Sequence, residues 1–221
     1  LSRGLGDVYK RQEMKAAAFE MAEQVEKLVK VYKNTKVDAQ MLKDADVDAV
    51  ILAIGSSPIT IKLEGMDKLQ HASAPEVLRH EVCPKGKVAV IGGGLVGLET
   101  ADTLATDGCD VTVLEMKDEI GSDLGSLRKI AVMMKLQQMQ VKMLPNSKVC
   151  KFTEEGIVLE DETLVPCNCA VFAVGFASND SHLLVEECEK RQIPCRVIGD
   201  AKSARRALDA IAEGFEAART L

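Results

Sequence analysis

The sequence of 221 residues contains no tryptophan, and aromatic residues make up only 3% of it. Proteins that bind single-stranded nucleic acids stack the bases on aromatic side chains, and proteins that bind duplexes carry a surplus of basic residues. Here 34 acidic residues outnumber 28 basic ones, which leaves a formal charge of −6. We therefore expect no nucleic-acid partner.

Long hydrophobic runs are also lacking. No stretch approaches the roughly 20 apolar residues that a membrane helix needs, and no signal peptide is visible. Hydrophobic residues nevertheless make up 47% of the chain and charged residues 28%, which is typical of a folded protein with a substantial core. The composition predicts a cytoplasmic protein that has no membrane partner.

The seven cysteines lack the spacing of a redox pair, a zinc site or an iron–sulfur cluster. Cys167 and Cys169 are separated by one residue, whereas redox pairs have two residues between them. An odd number of cysteines indicates reduced thiols. Because Val165, Cys167, Cys169 and Val171 alternate with other residues, we predict that they line one face of a strand. We expect no metal site.

The first dozen residues differ in character from the rest. The chain opens without an initiator methionine, and Leu1 to Gln12 resembles the translated adapter tails that contaminate assembled sequencing reads. We therefore exclude this stretch from the fold. We expect the chain to be a fragment of a longer protein.

The remaining sequence alternates helix and strand patterns, which is typical of a parallel α/β sheet. Residues 140–174 instead show short alternating segments with turns between them, which predicts an antiparallel meander leading into a buried strand. The predicted helices are Glu13–Leu28, Ala39–Lys43, Ala74–His80, Leu95–Thr106, one from Asp123 or Ser126 to Gln138, and Ala204–Thr220. The predicted strands are Val29–Tyr32, Val47–Ile54, Lys87–Ile91, Asp110–Leu114 and Cys169–Val174.

A glycine-rich loop lies between the predicted strand Lys87–Ile91 and the helix that follows it. Its three spaced glycines have the context of a dinucleotide-binding fingerprint. Gly92 permits the tight turn, Gly94 lets a pyrophosphate approach the backbone, and Gly97 lets the helix pack closely on the strand. Together with Gly93 and Val96, they place the helix N-terminus where its N–H groups attract phosphate. The loop predicts a dinucleotide site, with a ligand-free turn as the alternative.

Glu115 ends the next predicted strand, 18 positions after Gly97. A carboxylate at this place accepts hydrogen bonds from the adenosine ribose hydroxyls and repels a 2′-phosphate. Lys117 follows closely, and its charge would soften that discrimination if it faced the ligand. We predict NAD(H) rather than NADP(H), the alternative being a solvent-exposed Glu115 that has no ligand.

Five motifs, in order along the chain, carry a resemblance to a known family. They are Val50–Pro58, Gly92–Gly97, Ala173–Gly175, Val197–Asp200 and Asp209–Ala218. From Met14 to Leu221 the sequence resembles the C-terminal part of the flavin reductases related to 2,4-dienoyl-CoA reductase and the clostridial enoate reductases. In that family an old-yellow-enzyme-like barrel precedes a pair of dinucleotide domains of disulfide-reductase type.

The resemblance implies an α/β fold in which a Rossmann-like NAD-binding domain is inserted into a truncated FAD-binding domain of disulfide-reductase type. Residues 1–12 would be the artefactual tail, and residues 13–83 the remnant of the FAD-binding domain with a connection. Residues 84–175 would form the NAD-binding domain. Residues 176–221 would return to the FAD-binding domain.

The same resemblance implies roles for individual residues. Asp200, after Gly199, would bind the ribityl chain of FAD, and the helix around Ile211 would point its N-terminus at the flavin ring. Glu99 would lie near the nicotinamide ribose. Two further glycines would end the strands at which the chain crosses between the domains, namely Gly55 on the FAD side and Gly175 on the NAD side. No catalytic residue is assigned within this chain.

In the parent enzyme that the resemblance implies, hydride passes from NADH to FAD. Electrons then pass through an iron–sulfur cluster to FMN, which reduces an activated alkene such as an enoyl or dienoyl thioester. The barrel, the cluster, the FMN and the first glycine loop of the FAD domain would all lie upstream, so we expect this chain to be inactive alone. The alternatives are a fragment of a pyridine-nucleotide:disulfide oxidoreductase and a non-catalytic nucleotide-binding module.

Overall fold

The computed structural model describes the backbone of residues 12–221 and the side chains from residue 16 onward. The expectation for the adapter-like stretch therefore falls almost entirely outside the described residues. Within the described part, no helix combines the length and the apolar character needed to cross a membrane.

The described residues form seven α-helices and twelve strands. The α-helices are α1 (Gln12–Leu28), α2 (Ala39–Asp44), α3 (Ala74–Leu78), α4 (Leu95–Thr106), α5 (Ser126–Gln138), α6 (His182–Lys190) and α7 (Ala207–Thr220). Short 3₁₀ turns occupy Met66–Lys68 and Gly199–Ala201. The strands are β1 (Val50–Leu52), β2 (Ser56–Pro58), β3 (Gln70–Ser73), β4 (Lys87–Ile91), β5 (Asp110–Leu114), β6 (Lys142–Leu144), β7 (Val149–Thr153), β8 (Gly156–Leu159), β9 (Leu164–Pro166), β10 (Cys169–Phe172), β11 (Phe176–Ser178) and β12 (Cys195–Val197).

These elements form two compact units. The flanking unit consists of Ala16–Ser57 and Phe176–Leu221, and the inserted unit is Pro58–Gly175. The predicted NAD-binding domain starts at residue 84, whereas the inserted unit of the structure starts at Pro58. The reason is β3, which pairs in parallel with β10 and so brings the segment before residue 84 into the central sheet.

The inserted unit is built on a five-stranded parallel sheet with the order β3-β10-β4-β5-β6. Both faces of its central strand are covered, because successive side chains of a strand point to opposite faces. Val88 and Val90 of β4 pack in a core with α3, α4 and α5, whereas Ala89 and Ile91 pack in a second core with β7, β8 and β9. A continuous apolar strand is what such two-sided burial requires.

The antiparallel meander is confirmed for β7, β8 and β9, which pair in that order. It is wrong for the segment before it, because β6 pairs in parallel with β5 at the edge of the central sheet. The two-residue periodicity of a strand does not distinguish these pairings. A partner distant in the sequence decides between them.

The single strand face predicted for Val165, Cys167, Cys169 and Val171 is also wrong. Val165 and Cys167 pack in the core beneath the meander, whereas Cys169 and Val171 pack in the core beneath the helices. The chain leaves β9 at Pro166 and enters β10 at Cys169, so a break between two strands interrupts the alternation. Asn168 lies at this break, where its N–H bonds to the carbonyl of Lys87 at 2.7 Å.

The flanking unit contains a parallel pair, β1 with β12, in which Ile51 lies opposite Arg196. Arg191, which follows α6, donates to the carbonyls of Leu42 and Ala45 at the end of α2, the second at 2.8 Å. The bond to Ala45 satisfies a carbonyl at the helix C-terminus, and the carbonyl of Leu42 also accepts the N–H of Ala45 at 3.2 Å. Helix α6 has no counterpart among the helices predicted from the sequence.

The predicted strand Val29–Tyr32 is wrong. The residues after Leu28 form no strand, and Val29 and Tyr32 are exposed. Their β-branched and aromatic character favours a strand, but a strand needs a neighbour to satisfy its backbone groups. The predicted helix before them is confirmed as α1, and its apolar residues Phe19 and Leu28 are exposed.

Glu213 holds the end of the flanking unit together. Its carboxylate accepts the N–H of Gly199 at 2.7 Å, and it also pairs with Arg205 and, at 3.4 Å, with Lys202. The Arg205 hydrogen bond, followed by the Gly199 bond, lowers the pKa of Glu213 from 4.5 to about 2. The carboxylate of α7 thereby fastens the turn at Gly199 and Asp200, which connects β12 to that helix.

These contacts of Glu213 predict that the loss of its carboxylate lowers the free energy of unfolding by an amount that depends on pH. A carboxyl whose pKa is lower in the folded state stabilises the fold above its unfolded pKa, and this contribution is lost as the pH falls through the folded value. We expect Glu213→Gln to reduce the free energy of unfolding at neutral pH, with the difference from the parent shrinking between pH 4.5 and about 2. Urea unfolding at a series of pH values measures this, with Glu216→Gln on the same helix as the control. A difference that stays constant across that range contradicts the assigned role.

Candidate functional site

The glycine loop links the end of β4 to the first turn of α4 at the carboxyl edge of the central sheet. Gly92 has φ +108°, which side chains rarely adopt, and a Cβ there would lie 2.5 Å from the carbonyl oxygen of Ala173. At Gly97 the space is smaller still, because a Cβ would lie 1.9 Å from the carbonyl oxygen of Gly92. The two glycines therefore allow α4 to begin directly against the loop and the end of β10.

Gly94 differs from both, because its backbone has φ −76° and ψ −175°, an extended conformation that any residue adopts. The three atoms nearest to a Cβ at Gly94 all belong to the carboxyl group of Asp123, and the closest is an oxygen at 3.1 Å. The missing side chain therefore leaves a space at the N-terminus of α4 that the carboxylate of Asp123 borders. This is the space that a pyrophosphate would need.

Glu115 follows β5 and contacts the glycine loop. One carboxylate oxygen accepts the N–H of Gly93 at 2.7 Å, and the other accepts the N–H of Lys117 at 2.9 Å. A Cβ at Gly93 would lie 2.9 Å from the Cβ of Glu115, so the absence of a side chain also lets the two strand ends approach each other. Glu115 thus lies half-buried beside the loop, with lone pairs left to accept further bonds.

Glu99 lies one turn into α4 and forms an ion pair with Arg128 of α5, with 2.8 Å between Oε1 and the guanidinium nitrogen. This pair links α4 to α5. Val96, three residues earlier, is half-buried against the helix-side core, and its carbonyl accepts the hydroxyl of Thr100 at 2.7 Å. Gly93, Val96, Glu99 and Glu115 therefore all belong to the inserted unit, around the first turns of α4.

The glycines at the two chain crossings both adopt positive φ, +73° at Gly55 and +99° at Gly175. The carbonyl of Gly55 accepts the N–H of Asn179 at 3.0 Å, and the carbonyl of Gly175 accepts the N–H of Ile59 at the same distance. Gly55 is in the flanking unit and Gly175 in the inserted unit. Each therefore turns the chain at the end of a strand.

Asp200 lies in the flanking unit, in the 3₁₀ turn after β12. Its carboxylate accepts the hydroxyl of Ser56 at 3.1 Å and the N–H of Arg205 at 3.3 Å. The N–H of the preceding Gly199 is directed to Glu213. Ile211, in the second turn of α7, has 63% of its surface exposed. The carboxylate is therefore oriented by its neighbours and retains acceptor capacity for a polyol.

The pKa values of the buried thiols are shifted in the opposite direction from those of a redox pair. Burial raises the pKa values of Cys167 and Cys169 to about 11. Redox dithiols need a lowered thiol pKa, because the thiolate is the nucleophile. These two cysteines therefore favour a structural role over thiol chemistry. Among the described residues, no group of three histidines, cysteines or carboxylates is placed to hold a metal ion.

Three contacts around the predicted site residues were not expected from the sequence. Asp123 binds the first N–H of α4, Glu213 binds Gly199, and Arg128 pairs with Glu99. A signal existed for Glu213 alone, since it lies within the Asp209–Ala218 motif that was noted for other reasons. The partners of Asp123 and Arg128 are 28 and 29 residues away, with no local pattern to mark them.

Comparison with known proteins agrees with this geometry. The chain is 36% identical over 191 residues to the bilirubin reductase of Mediterraneibacter gnavus, and 34% identical over 201 residues to the cinnamate reductase of Clostridium sporogenes. These alignments cover 83% and 87% of this chain, and the chain spans 29% of the length of each relative. The resemblance to the enoate-reductase group is confirmed.

A solved structure of a 2-naphthoyl-CoA reductase complex shares the fold with a TM-score of 0.84 at 22% identity, covering 98% of this chain and 33% of that one. The disulfide-reductase-type fold expected from the sequence is thereby confirmed. Residues 6–200 match the family described as pyridine nucleotide-disulphide oxidoreductase, whose members bind FAD and NAD(P)H. The chain belongs to the pyridine nucleotide-disulphide oxidoreductase family.

Proposed function

We propose that this chain is the NADH-accepting part of a flavin-dependent reductase, and that NADH binds at the glycine loop of the inserted unit. One observation carries the proposal. The N-terminus of α4 has no side chain at Gly94, and the carboxylate of Glu115 lies next to it, bonded to the N–H of Gly93. Helix N-termini attract phosphate through their free N–H groups and partial positive charge.

Each residue of the loop contributes a different part of binding. Gly94 leaves room for the pyrophosphate against the first turn of α4, and Gly97 keeps that turn close to the sheet. Glu115 accepts hydrogen bonds from the adenosine ribose hydroxyls, while its charge disfavours a 2′-phosphate. Glu99, held by Arg128, would face the nicotinamide ribose from the next turn of the helix.

We propose that the flanking unit contributes the ribityl and ring contacts of FAD. Asp200 fits this role because Ser56 and the Arg205 N–H orient its carboxylate and leave lone pairs for a polyol hydroxyl. Gly199 permits the tight turn before it at φ +60°. The N-terminal end of α7 lies next in the chain, and its partial positive charge would stabilise negative charge on a flavin ring near Ile211. When both cofactors are bound, NADH supplies a hydride and FAD accepts it.

For the whole protein we propose reduction of an activated alkene, such as an enoyl or dienoyl thioester. The names of the cinnamate reductase and 2-naphthoyl-CoA reductase relatives support this substrate class. FMN and an iron–sulfur cluster would belong to the remainder of such a protein, together with its barrel. We propose that turnover needs that remainder, so that the 221-residue chain alone is inactive. An extended gene product that oxidises NADH with a cinnamoyl or enoyl thioester, measured by the loss of NADH absorbance, tests this substrate class.

The choice between NADH and NADPH is testable at Glu115. A hydrogen bond to a charged group is worth about 1.5–3 kcal/mol, so we expect NADH to bind about tenfold or more tightly than NADPH. Glu115→Gln retains the acceptor for the Gly93 N–H and removes the charge, which should narrow this ratio several-fold. Cofactor fluorescence titration measures both affinities, and Asp118→Asn controls for the loss of one charge from the same loop. Equal affinities in the parent, or an unchanged ratio in Glu115→Gln, contradict the assignment.

Substitutions at Gly94 and Gly97 distinguish an effect on NADH binding from an effect on folding. Gly94→Val should keep the fold and abolish NADH binding, because its side chain would occupy the pyrophosphate space and the atoms nearest its Cβ belong to the exposed side chain of Asp123. Gly97→Ala should destabilise the fold by about 1–3 kcal/mol or more, because its Cβ meets the Gly92 carbonyl. Thermal unfolding and NADH titration of both variants separate the two roles. Normal NADH binding by Gly94→Val would show that the pyrophosphate lies elsewhere.

A further inference from the structure

A negatively charged side chain already lies at the proposed pyrophosphate position. Both carboxylate oxygens of Asp123 are 3.0 Å from the N–H of Leu95, the first residue of α4. The same carboxylate is the nearest neighbour of the position that a Cβ on Gly94 would take. Asp123 therefore satisfies the N–H group, and faces the space, that the proposed function gives to the dinucleotide.

The segment that carries Asp123 is anchored to the glycine loop. We call residues 119–125 the strap. Within it, the N–H of Gly121 donates to the carbonyl of Gly93 at 2.8 Å, and the side chain of Ile120 is buried in the helix-side core. Glu119 pairs with Lys129 of α5 at 2.5 Å. After Asp123, Leu124 packs against the same core and the carbonyl of Gly125 accepts the N–H of Lys129 at 2.9 Å, so the strap is held on both sides of Asp123.

The Asp123 side chain, in contrast, is exposed and can change its rotamer. Among the described residues, the Asp123 carboxylate forms hydrogen bonds with Leu95 alone. Rotation of the side chain therefore breaks no other bond among these residues. The strap keeps the carboxylate close to the helix N-terminus, and the side chain alone decides whether that N–H is occupied. A pyrophosphate and a carboxylate are both anions, and they cannot accept the same N–H side by side without strong repulsion.

We propose that Asp123 is a built-in competitor of the dinucleotide: it caps α4 when the site is empty and must turn away before the pyrophosphate binds. This inference rests on the proposed function, because it assumes that the pyrophosphate docks at α4. The competition weakens the binding of NADH and NADPH by the same factor, since both carry the same pyrophosphate. Asp123 therefore sets the overall affinity, whereas Glu115 sets the preference between the two cofactors.

The test removes the competitor and compares ligands with and without a pyrophosphate. The chain offers a matched control in Asp118→Ala, which removes the same charge from the same loop. In Asp123→Ala we expect NADH, NADPH and ADP each to bind about two- to tenfold more tightly, the value of one hydrogen bond released at the site. The ratio of NADPH to NADH affinity should stay unchanged, and so should the binding of adenosine. Isothermal titration measures these affinities, with thermal unfolding as the check on the fold.

A second readout does not depend on the dinucleotide. Inorganic pyrophosphate added to the ¹⁵N-labelled protein should shift the Leu95 amide resonance at lower concentration in Asp123→Ala than in the parent. If the alanine variant fails to fold, Asp123→Asn removes the charge while keeping the shape of the side chain.

The outcomes separate the two proposals. NADH affinity that is equal or weaker in Asp123→Ala, with NADH bound by both proteins, overturns the competitor and leaves the proposed function intact. Tighter binding of inorganic pyrophosphate without any NADH binding overturns the proposed function, and with it the role of Asp123 as a competitor of the dinucleotide. If the ligand affinities rise equally in Asp118→Ala, the effect comes from the loss of any negative charge in this loop. That result would overturn the specific role of Asp123. No response of either protein to NADH or pyrophosphate overturns both proposals.

Discussion

The close approach of α4 to the glycine loop is the constraint on which the rest of the inserted unit depends. At Gly97 there is no room for even one methyl group, because the carbonyl oxygen of Gly92 fills that position. This contact places the N-terminus of α4 over the carboxyl edge of the sheet. The neighbouring groups lie around that helix end. They include Glu115 after β5 and the strap before α5.

Burial of the central strands on both faces gives this edge its rigidity. The side chains of β4 enter two separate cores, one beneath the helices and one beneath the β7–β9 meander. A displacement of β4 would therefore disturb packing on both sides at once, and interiors packed at this density resist such changes. A loop attached to such a strand can hold a small set of backbone N–H groups in a constant position, which is what recognition of a phosphate requires.

Three acidic side chains lie around the glycine loop, each at a different place along the start of α4. Glu115 binds Gly93 and lies beside the loop, Asp123 binds Leu95 at the first turn, and Glu99 is held one turn further by Arg128. Three carboxylates around one helix N-terminus are consistent with its partial positive charge. In the flanking unit, Glu213 uses the same chemistry on the N–H of Gly199 to hold the turn that presents Asp200.

The sequence by itself determined the β4–loop–α4 segment, the strand β5 with its terminal glutamate and the boundaries of α4, because glycine spacing and apolar periodicity are local properties. It also identified the family, through motifs spread along the chain. It failed where pairing decides the structure: Val29 and Tyr32 found no strand partner, β6 joined the parallel sheet, and Cys167 and Cys169 entered different cores. Only the tertiary structure placed Asp123 against Leu95, since this contact joins residues 28 positions apart through a backbone fold that no local pattern encodes.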